Sequence, residues 1–402
     1  MVKKNKLHYI PALSSGMFLS CMKSNEKISG QDYTYRYYSN NPDEFPERYK
    51  YPFHLISAGH QYKKPNILQE LGMDPKEVFV IGDSGGYQIS SGALTFKKEL
   101  VEQIFEWLEN NSTVAMNLDI PPRMKMAGKF DECLALSKVN YKYFSDNQRG
   151  QTKFLNVIQG GDYDSYKKWY DGVKGFDFHG WGLGSAIGIH KTLAALIVLK
   201  EGGEFKKNTK QYVHLLGTNR IIDFLYLEKI QQVLNNMGAD IQITCDSSSP
   251  SRISAFGNIY TGFSLKELRY QSLSFSNKNT YDPTKRYPLF NQFDREMLHT
   301  LKLDIFPDKW SGPSYYPMVL HNLYVVLDAH QTINTLIDTD PLVQKELLPA
   351  TVWQTLNAIE EVLTSNDSLT VYNKYKQLFN KVEIDFNINE APANIESFFE
   401  FE

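Results

Sequence analysis

The chain has 402 residues, 42% of them hydrophobic, and its 43 basic and 46 acidic residues give a formal net charge of −3. This length suits one large domain with an appendage, or two domains. The balanced charge excludes a uniformly basic nucleic-acid binder, so basic residues that contact nucleic acid must be clustered on one face. The three cysteines, Cys21, Cys133 and Cys245, are too dispersed for a disulfide framework or a cysteine-rich zinc site, and they indicate a reducing cytoplasm. The apolar runs are too short to predict a membrane span.

Short apolar runs of about five residues are typical of strands buried on both faces of a parallel sheet. This chain has eight such runs: Leu7–Ala12, Phe53–Ala58, Val78–Gly82, Val114–Leu118, Phe154–Ile158, Gly180–Leu183, Tyr212–Leu216 and Ile241–Cys245. Stretches with helical apolar spacing lie between most of them, including Phe96–Leu108, Leu134–Phe144, Lys191–Lys200 and Ile222–Leu234. The alternation predicts an α/β protein with a (β/α)8 TIM barrel, and an open doubly wound sheet is the alternative.

The sequence changes character outside these alternating segments. Residues 13–52 are long and polar for the first loop of a barrel, and we interpret them as an insertion. We predict that residues 1–262 form a barrel catalytic domain and that residues 263–402 form a mainly α-helical C-terminal region. Helical spacing there covers Met318–Ile337 and Leu342–Leu363, and the final segment, Glu383–Glu402, is acidic with interspersed phenylalanines.

The ends of the predicted strands carry reactive or tight-turn residues in six of the eight cases. These ends are DSGGYQ at 83–88, Asp119, QGG at 159–161, Gly184–Ser185, GTN at 217–219 and DSSSPSR at 246–252. The C-terminal ends of the strands of a parallel barrel share one rim, so Asp83, Asp119 and Asp246 are expected to converge there. Converging carboxylates suit glycosidic bond chemistry, in which one aspartate traps an oxocarbenium-like sugar and a second moves the proton of the leaving group. A third can accept hydrogen bonds from the N–H groups of a purine.

This ordered set of motifs resembles the tRNA-guanine transglycosylase family. DSGGYQ at 83–88 matches the signature loop of the family, and VIQGG at 157–161 matches its Gln-Gly-Gly segment. GWGLGS at 180–185 is similar to the base-contact loop, with Ser185 in place of the second glycine, and HLLG at 214–217 resembles the segment that flanks the base pocket. Asp246, followed by Pro250 and Arg252, has the spacing found around the family nucleophile.

The chain departs from this family after the barrel. The tRNA enzymes carry a zinc site of three cysteines and a histidine, whereas here no cysteine follows Cys245, although His321 looks like the ligand histidine. The pattern therefore looks like the zinc-less DNA-guanine transglycosylase branch known as DpdA. That resemblance implies replacement of guanine in DNA by a 7-deazaguanine such as 7-cyano-7-deazaguanine (preQ0), in bacteria or in a phage-infected host cytoplasm. It implies no zinc, and we expect no metal or other cofactor.

The resemblance also implies roles for individual residues. Asp246 would be the nucleophile that attacks C1′ of the deoxyribose, and Asp83 would be the general acid and base. Asp119 and Gln159 would read the edge of the base, and Tyr87 and Leu216 would cover its two faces. The other expected substrate-binding residues are Gln88, Gly160, Gly161, Gly184, Ser185 and Arg252.

Each of these polar residues also has a structural interpretation. Asp246 could cap the following turn, Asp83 could form an Asx turn and Asp119 could be a helix N-cap. Gln159 could be a buried amide that ties strands together, and His60 at the same rim is interpreted as a structural histidine.

Basic residues interleaved with tyrosines suit a nucleic-acid backbone and unstacked bases, and Lys266, Arg269, Lys285 and Arg286 have this arrangement. A solvated surface is the alternative for them. Expected partners are DNA, guanine and the incoming 7-deazaguanine, and candidate protein partners are a helicase-type ATPase and a second copy of the chain. Alternative functions are a tRNA-guanine transglycosylase and a non-catalytic subunit of a transglycosylase complex.

Overall fold

The computed structural model describes residues 5–14, 16–25, 27–28, 33–47, 50–274 and 312–386. Its main sheet contains eight strands, and every neighbouring pair in its ladders is parallel. The strands are β1 (His8–Pro11), β2 (Phe53–Ser57), β3 (Phe79–Asp83), β4 (Val114–Met116), β5 (Lys153–Gln159), β6 (Gly180–Gly184), β7 (Gln211–Leu215) and β8 (Ile241–Ser247). Each corresponds to one predicted run, so the fold is a (β/α)8 barrel and the predicted alternation is confirmed.

The barrel closes between its first two strands through side chains. The ladders run in the order β1-β8-β7-β6-β5-β4-β3-β2, so within the described residues β1 and β2 touch without sharing a ladder. The Tyr51 hydroxyl donates a 2.6 Å hydrogen bond to the carbonyl oxygen of Tyr9, and the rings of His8 and Phe53 pack with centroids 4.6 Å apart. These contacts join the two ends of the sheet.

Ten helices accompany the barrel strands in the described part of the chain. They are α1 (Gly16–Ser24), α2 (Ala58–Gln61), α3 (Ile67–Leu71), α4 (Gly86–Ser91), α5 (Lys98–Asn111), α6 (Phe130–Asn147), α7 (Tyr163–Val173), α8 (Ile189–Glu201), α9 (Ile221–Asn236) and α10 (Ser249–Ala255). The predicted stripe of Leu100, Ile104 and Leu108 is buried in α5. In α8 every residue from Thr192 to Leu199 is buried, as its apolar sequence predicted.

The C-terminal region packs its helices on the outside of the barrel. They are α11 (Gly312–Ile337), α12 (Pro341–Leu347), α13 (Ala350–Thr364) and α14 (Ser368–Asp385). Helices α11 and α13 contact α9, and α14 contacts α8. No helix in the described segments is long and apolar enough to cross a membrane.

The helical spacing over Leu342–Leu363 is divided between two helices. The chain breaks between α12 and α13, where Leu348 has an extended conformation with φ −106° and ψ 150°. Proline disfavours the helical conformation in the residue before it and has no N–H group to donate, so Pro349 ends one helix and starts the next.

Two further features of the chain were not predicted from the sequence. A hairpin of β9 (Asn258–Ser264) and β10 (Arg269–Ser274) follows α10, and β9 runs through position 262, where the sequence changes character. The region interpreted as a polar insertion buries several tyrosines completely or almost so, among them Tyr37 and Tyr38. Aromatic rings therefore attach this region to the protein core.

Candidate active site at the barrel rim

Three aspartates lie at the C-terminal rim of the barrel. Asp83 is the last residue of β3, Asp246 is the penultimate residue of β8, and Asp119 lies three residues beyond the end of β4. Asp119 and Asp246 are only 6% and 8% exposed. The parallel strands bring these distant positions to one end of the barrel, as the sequence predicted.

The loop that carries Asp119 is anchored on both sides by α6. The Asn140 amide donates a 3.0 Å hydrogen bond to the carbonyl oxygen of Leu118, and the backbone N–H of Ile120 donates a 2.8 Å bond to the Ser137 hydroxyl. Because the residues before and after it are fixed in this way, Asp119 has a defined position without belonging to a strand or a helix. The interpretation of Asp119 as a helix N-cap is wrong, since the next helical turn is the 3-10 helix at Met124–Met126.

The three carboxyl groups interact electrostatically through Asp83. Burial raises the pKa of Asp83, and the charge of Asp246 raises it further, whereas the Ser57 hydroxyl, the Gly85 amide and His60 lower it. Burial also raises the pKa of Asp119 to about 6, and the charge of Asp83 adds to the effect. The charge of Asp246 therefore acts on Asp83 and the charge of Asp83 acts on Asp119, as expected for acids that lie near one another.

The carboxylate of Asp246 is held by groups from β7 and the loop that follows it. The backbone N–H of Gly217 donates a 2.8 Å hydrogen bond to Oδ1, and Nε2 of His214 lies 3.2 Å from the same oxygen. Within the described residues, no hydrogen bond to Oδ2 is found. Gly217 belongs to the loop after β7, and within the described residues Asp246 makes no hydrogen bond to its own turn. Ser248, the N-cap residue of α10, makes no side-chain cap bond either.

Asp119 and Gln159 are linked directly. Nε2 of Gln159 donates a 2.7 Å hydrogen bond to Oδ2 of Asp119, and its Oε1 accepts a 2.9 Å bond from the Ser185 hydroxyl. Gly184 allows this packing, because a Cβ atom at that position would lie 2.1 Å from Nε2 of Gln159. Gln159 thus links the segments that follow β4 and β6 to the end of β5. An amide at this position can also form a hydrogen bond with a ligand.

The signature segment 83–88 packs tightly around its glycines. A Cβ atom on Gly86 would lie 2.2 Å from the carbonyl oxygen of Asp119, so the start of α4 rests directly on the Asp119 loop. Gly85 has a left-handed φ of 83°, and its amide donates a 3.3 Å bond to Oδ1 of Asp83. The Asx turn proposed for Asp83 therefore exists and leaves Oδ2 for other contacts.

The residues predicted to cover the faces of a base lie on different loops of the rim. Tyr87 at the start of α4 is 41% exposed, and Leu216 just beyond β7 is half-buried. The amide Nε2 of Gln88 contacts Nε2 of His60 at 2.9 Å, which gives His60 the structural contact that the sequence interpretation expected. Tyr87 keeps enough exposed surface to contact a planar ligand.

Other predicted residues serve the fold around the rim. Gly160 packs against Tyr166, since a Cβ atom there would lie 2.7 Å from Cγ of that ring. Gly161 is exposed, and its amide donates a 2.9 Å bond to the Ser165 hydroxyl at the start of α7. Arg252 lies in α10, close enough to Tyr260 for its charge to affect that hydroxyl. Burial raises the pKa of Tyr260 to about 12, and the charge of Arg252 opposes part of this rise. No ion pair between Arg252 and Asp246 is found in the described part of the structure.

The predicted nucleic-acid contacts are described only in part. Lys266 lies in the turn of the β9–β10 hairpin and Arg269 begins β10, and both side chains are exposed. Tyr270 stacks on Tyr260 with ring centroids 4.5 Å apart and donates a 3.0 Å bond to the carbonyl oxygen of Asn219 at the rim. Tyr270 thus anchors the hairpin beside the rim. Lys285 and Arg286 lie outside the described residues.

His321, which resembled a zinc ligand, has a structural contact instead. Its buried Nε2 contacts the carbonyl oxygen of Tyr260, and the neighbouring Asn322 bonds to the backbone of Tyr260 and Asn258 and to the Ser254 hydroxyl. These contacts fix the hairpin and α10 to α11.

Two residues at the site were missed by the sequence interpretation. His214 lies within the HLLG segment but was not singled out, although its position two residues from the end of a buried strand could have indicated an inward-facing imidazole. Arg123 follows Pro121 and Pro122, and Nη2 of its guanidinium donates a 2.6 Å bond to the Ser185 hydroxyl. Nothing in the local sequence indicated that this loop reaches β6.

Comparison with protein-family models finds no match for this chain, and comparison with curated proteins finds none either. Among solved structures, the chain is similar to the apo form of a protein described as a "putative deoxyribose-phosphate aldolase" from Toxoplasma gondii ME49. The two share 8% sequence identity over 60% of this chain and 90% of the other, with a TM-score of 0.36. At that identity and TM-score, the similarity says nothing about substrate or reaction.

Proposed function

We propose that this chain is a base-exchanging transglycosylase that replaces guanine in DNA with a 7-deazaguanine through a covalent Asp246–deoxyribose intermediate. The observation that carries the proposal is the position of Asp83, Asp119 and Asp246 at or just beyond the C-terminal ends of β3, β4 and β8, where their charges also interact. The motif resemblance supplies the substrate class. The sequence-level absence of the cysteine triad favours DNA over tRNA.

In the first half of the proposed reaction, Oδ2 of Asp246 attacks C1′ of the nucleotide. A bond forms between that oxygen and C1′ while the bond from C1′ to N9 of guanine breaks. The leaving guanine takes a proton from Asp83, because burial raises the pKa of this carboxyl group and so favours its protonated form. The contacts to Oδ1 of Asp246 support this arrangement, because they hold the carboxylate by its other oxygen.

In the second half, the incoming 7-deazaguanine gives its N9 proton to the carboxylate of Asp83. Its N9 then forms a bond with C1′ as the ester to Asp246 breaks, so both aspartates return to their starting states. The displacement occurs twice at C1′, so the configuration of the sugar is retained.

Recognition of the base is assigned to Asp119 and Gln159. An ionised Asp119 accepts hydrogen bonds from the ring and exocyclic N–H groups of guanine, and a carboxylate has acceptor sites left after the bond from Gln159. The amide of Gln159 has a second hydrogen to donate to O6 of the base. The exposed Lys266 and Arg269 on the hairpin beside the rim suit contact with phosphates.

An exchange assay tests the proposal. The purified full chain is incubated with labelled guanine and, separately, labelled 7-cyano-7-deazaguanine, in the presence of single-stranded DNA, duplex DNA or tRNA. Incorporation into DNA that is lost in Asp246→Ala supports the proposal. Incorporation into tRNA alone would assign the substrate to the alternative family branch, and DNA incorporation that persists in Asp246→Ala would overturn the assignment of the nucleophile.

A further inference from the structure

A continuous chain of hydrogen bonds runs from Arg123 to Asp119. Nη2 of Arg123 donates to the Ser185 hydroxyl at 2.6 Å, and that hydroxyl donates to Oε1 of Gln159 at 2.9 Å. Nε2 of Gln159 then donates to Oδ2 of Asp119 at 2.7 Å. The four residues come from the loop after β4, the end of β5 and the end of β6.

The direction of this chain follows from the chemistry of its two ends. A guanidinium group has five N–H donors and no acceptor, and an ionised carboxylate has acceptors only. The Ser185 oxygen must therefore accept from Arg123, which leaves its single proton for Oε1 of Gln159. If the amide were reversed, its NH2 group would face the Ser185 proton and its oxygen would face the Asp119 carboxylate, so both hydrogen bonds would be lost.

We propose that Arg123 and Ser185 are positioning residues that fix the orientation of the Gln159 amide, so that Gln159 presents its NH2 group to Asp119 and to O6 of a bound 6-oxopurine. This inference rests on the proposed function for the identity of the ligand. It adds two specificity-determining residues that do not themselves touch the reacting atoms.

The backbone at Ser185 supports this assignment. Ser185 has φ +61°, in the left-handed region that residues with a Cβ atom rarely adopt. Serine at this position combines an unfavourable backbone conformation with a hydroxyl group that links Arg123 to Gln159. Strain that persists at a site is consistent with a role for the strained residue.

Arg123 is available for this role because its charge is not neutralised elsewhere. Among the described residues, Arg123 bonds to the Ser185 hydroxyl and forms no ion pair with a carboxylate, and the charge of Arg123 lowers the pKa of Asp119. The carboxyl group of Asp83 raises the pKa of Asp119 and the amide of Gln159 lowers it. Cys133 and Tyr141 of α6 also face Asp119, and its charge raises the pKa of each.

The direct test compares guanine, which has an acceptor oxygen at C6, with 2,6-diaminopurine, which has a donor amino group there. Binding of each base is measured by calorimetry for the wild type, Arg123→Met, Arg123→Lys and Ser185→Ala. Lys125→Met is the matched control, since Lys125 is an exposed cation two residues along the same loop. Binding is measured at a pH well above the Asp119 pKa of about 6, so that Asp119 is ionised in every variant and its own contribution to base preference cancels when the preferences are compared.

We expect Arg123→Met and Ser185→Ala to lower the preference for guanine over 2,6-diaminopurine by about tenfold, the value of one hydrogen bond. Arg123→Lys restores a donor-only group and should retain most of the preference, and Lys125→Met should retain all of it. An unchanged preference in folded Arg123→Met and Ser185→Ala would overturn the proposal.

A second measurement separates this inference from the proposed function. The titration of Asp119 is followed by carboxyl carbon NMR in the protein without ligand, with the signal assigned by its loss in Asp119→Asn. Arg123→Met should move the titration midpoint of Asp119 upward, and Lys125→Met should leave it in place. If the wild type binds neither purine, the proposed function fails, and this titration decides the inference: an unmoved midpoint in Arg123→Met would overturn it.

Discussion

Nε2 of His214 lies 3.2 Å from Oδ1 of Asp246, and the two residues are on adjacent strands of the barrel. The imidazole is fully buried, and its Nδ1 contacts the Thr244 hydroxyl at 2.8 Å. Together with the Gly217 amide, it defines where the Asp246 carboxylate sits. We therefore expect His214 to position the nucleophile without touching the sugar.

The substitution His214→Leu tests this role. It removes the polar neighbour of Oδ1, and we expect kcat for base exchange to fall about 10- to 100-fold because small displacements of a reacting group are costly. KM for the base should change little, since the base is assigned to Asp119. Thr244→Val is the matched control and removes only the contact at Nδ1. An unchanged kcat in a folded His214→Leu variant would show that the imidazole has no positioning role.

The substitution Asp119→Asn should stabilise the protein at neutral pH while it abolishes guanine binding. The pKa of Asp119 rises from the ordinary 3.8 to about 6, chiefly through burial. The folded protein therefore binds a proton on Asp119 more tightly than the unfolded chain does. In the wild type, this protonation stabilises the fold fully below pH 3.8, and the contribution is lost as the pH rises through about 6. The difference corresponds to about 3 kcal/mol at most.

Urea denaturation at pH 4 and pH 7.5 measures this effect. The gain in unfolding free energy of Asp119→Asn over the wild type should appear at pH 7.5 and shrink towards pH 4. Asp131→Asn is the control, because Asp131 is an exposed carboxylate paired with Lys168 and should change stability by less than about 0.5 kcal/mol. A marked loss of stability for Asp119→Asn at pH 7.5 would contradict the cost assigned to its buried charge.

The substitution Asp83→Asn should lower the exchange rate about 10²- to 10⁴-fold, which is the usual contribution of a general acid and base. Guanine binding should remain, because Asp83 is not assigned to base recognition. Equilibrium binding and single-turnover kinetics of the same preparation distinguish the two effects. Weakened binding with an unchanged rate at saturation would reverse the roles of Asp83 and Asp119.

Two glycines at neighbouring strand ends provide a steric test. A Cβ atom on Gly184 would lie 2.1 Å from Nε2 of Gln159, whereas a Cβ atom on Gly161 would have no neighbour within 4 Å. Gly184→Ala should displace the amide and weaken guanine binding at least tenfold, since overpacking moves side chains. Gly161→Ala should leave binding unchanged. Equal binding by both variants would remove Gln159 from the base site.

The strands could be predicted because their chemistry is local. A buried parallel strand such as Ile241–Ser247 needs a short apolar run, and the aspartate near its end marks the rim. The break at Pro349 was also encoded locally, but the helical spacing of the flanking leucines outweighed it. The contacts of Arg123 and His214 were not predictable in this way, because each depends on a partner that lies 30 or more positions away, Ser185 and Asp246 respectively.

The hairpin at β9 and β10 shows the same limit. Its strands are polar and only partly buried. They therefore lack the alternation of apolar and polar residues that would have distinguished them from a loop. Their position depends on Asn322, which bonds to the backbone of Tyr260 from a helix 62 residues further along the chain. Such pairings depend on tertiary structure and leave little trace in sequence periodicity.

The central claim, that three aspartates act on one nucleotide, is tested most directly by trapping the covalent intermediate. The full chain is incubated with a guanine-containing oligodeoxynucleotide while released guanine is removed, then denatured in acid and digested for mass spectrometry. We predict a deoxyribose adduct on Asp246 that disappears when guanine is added back, never forms in Asp246→Asn and forms far more slowly in Asp83→Asn. Base exchange without any adduct, or an adduct on another residue, would contradict the account.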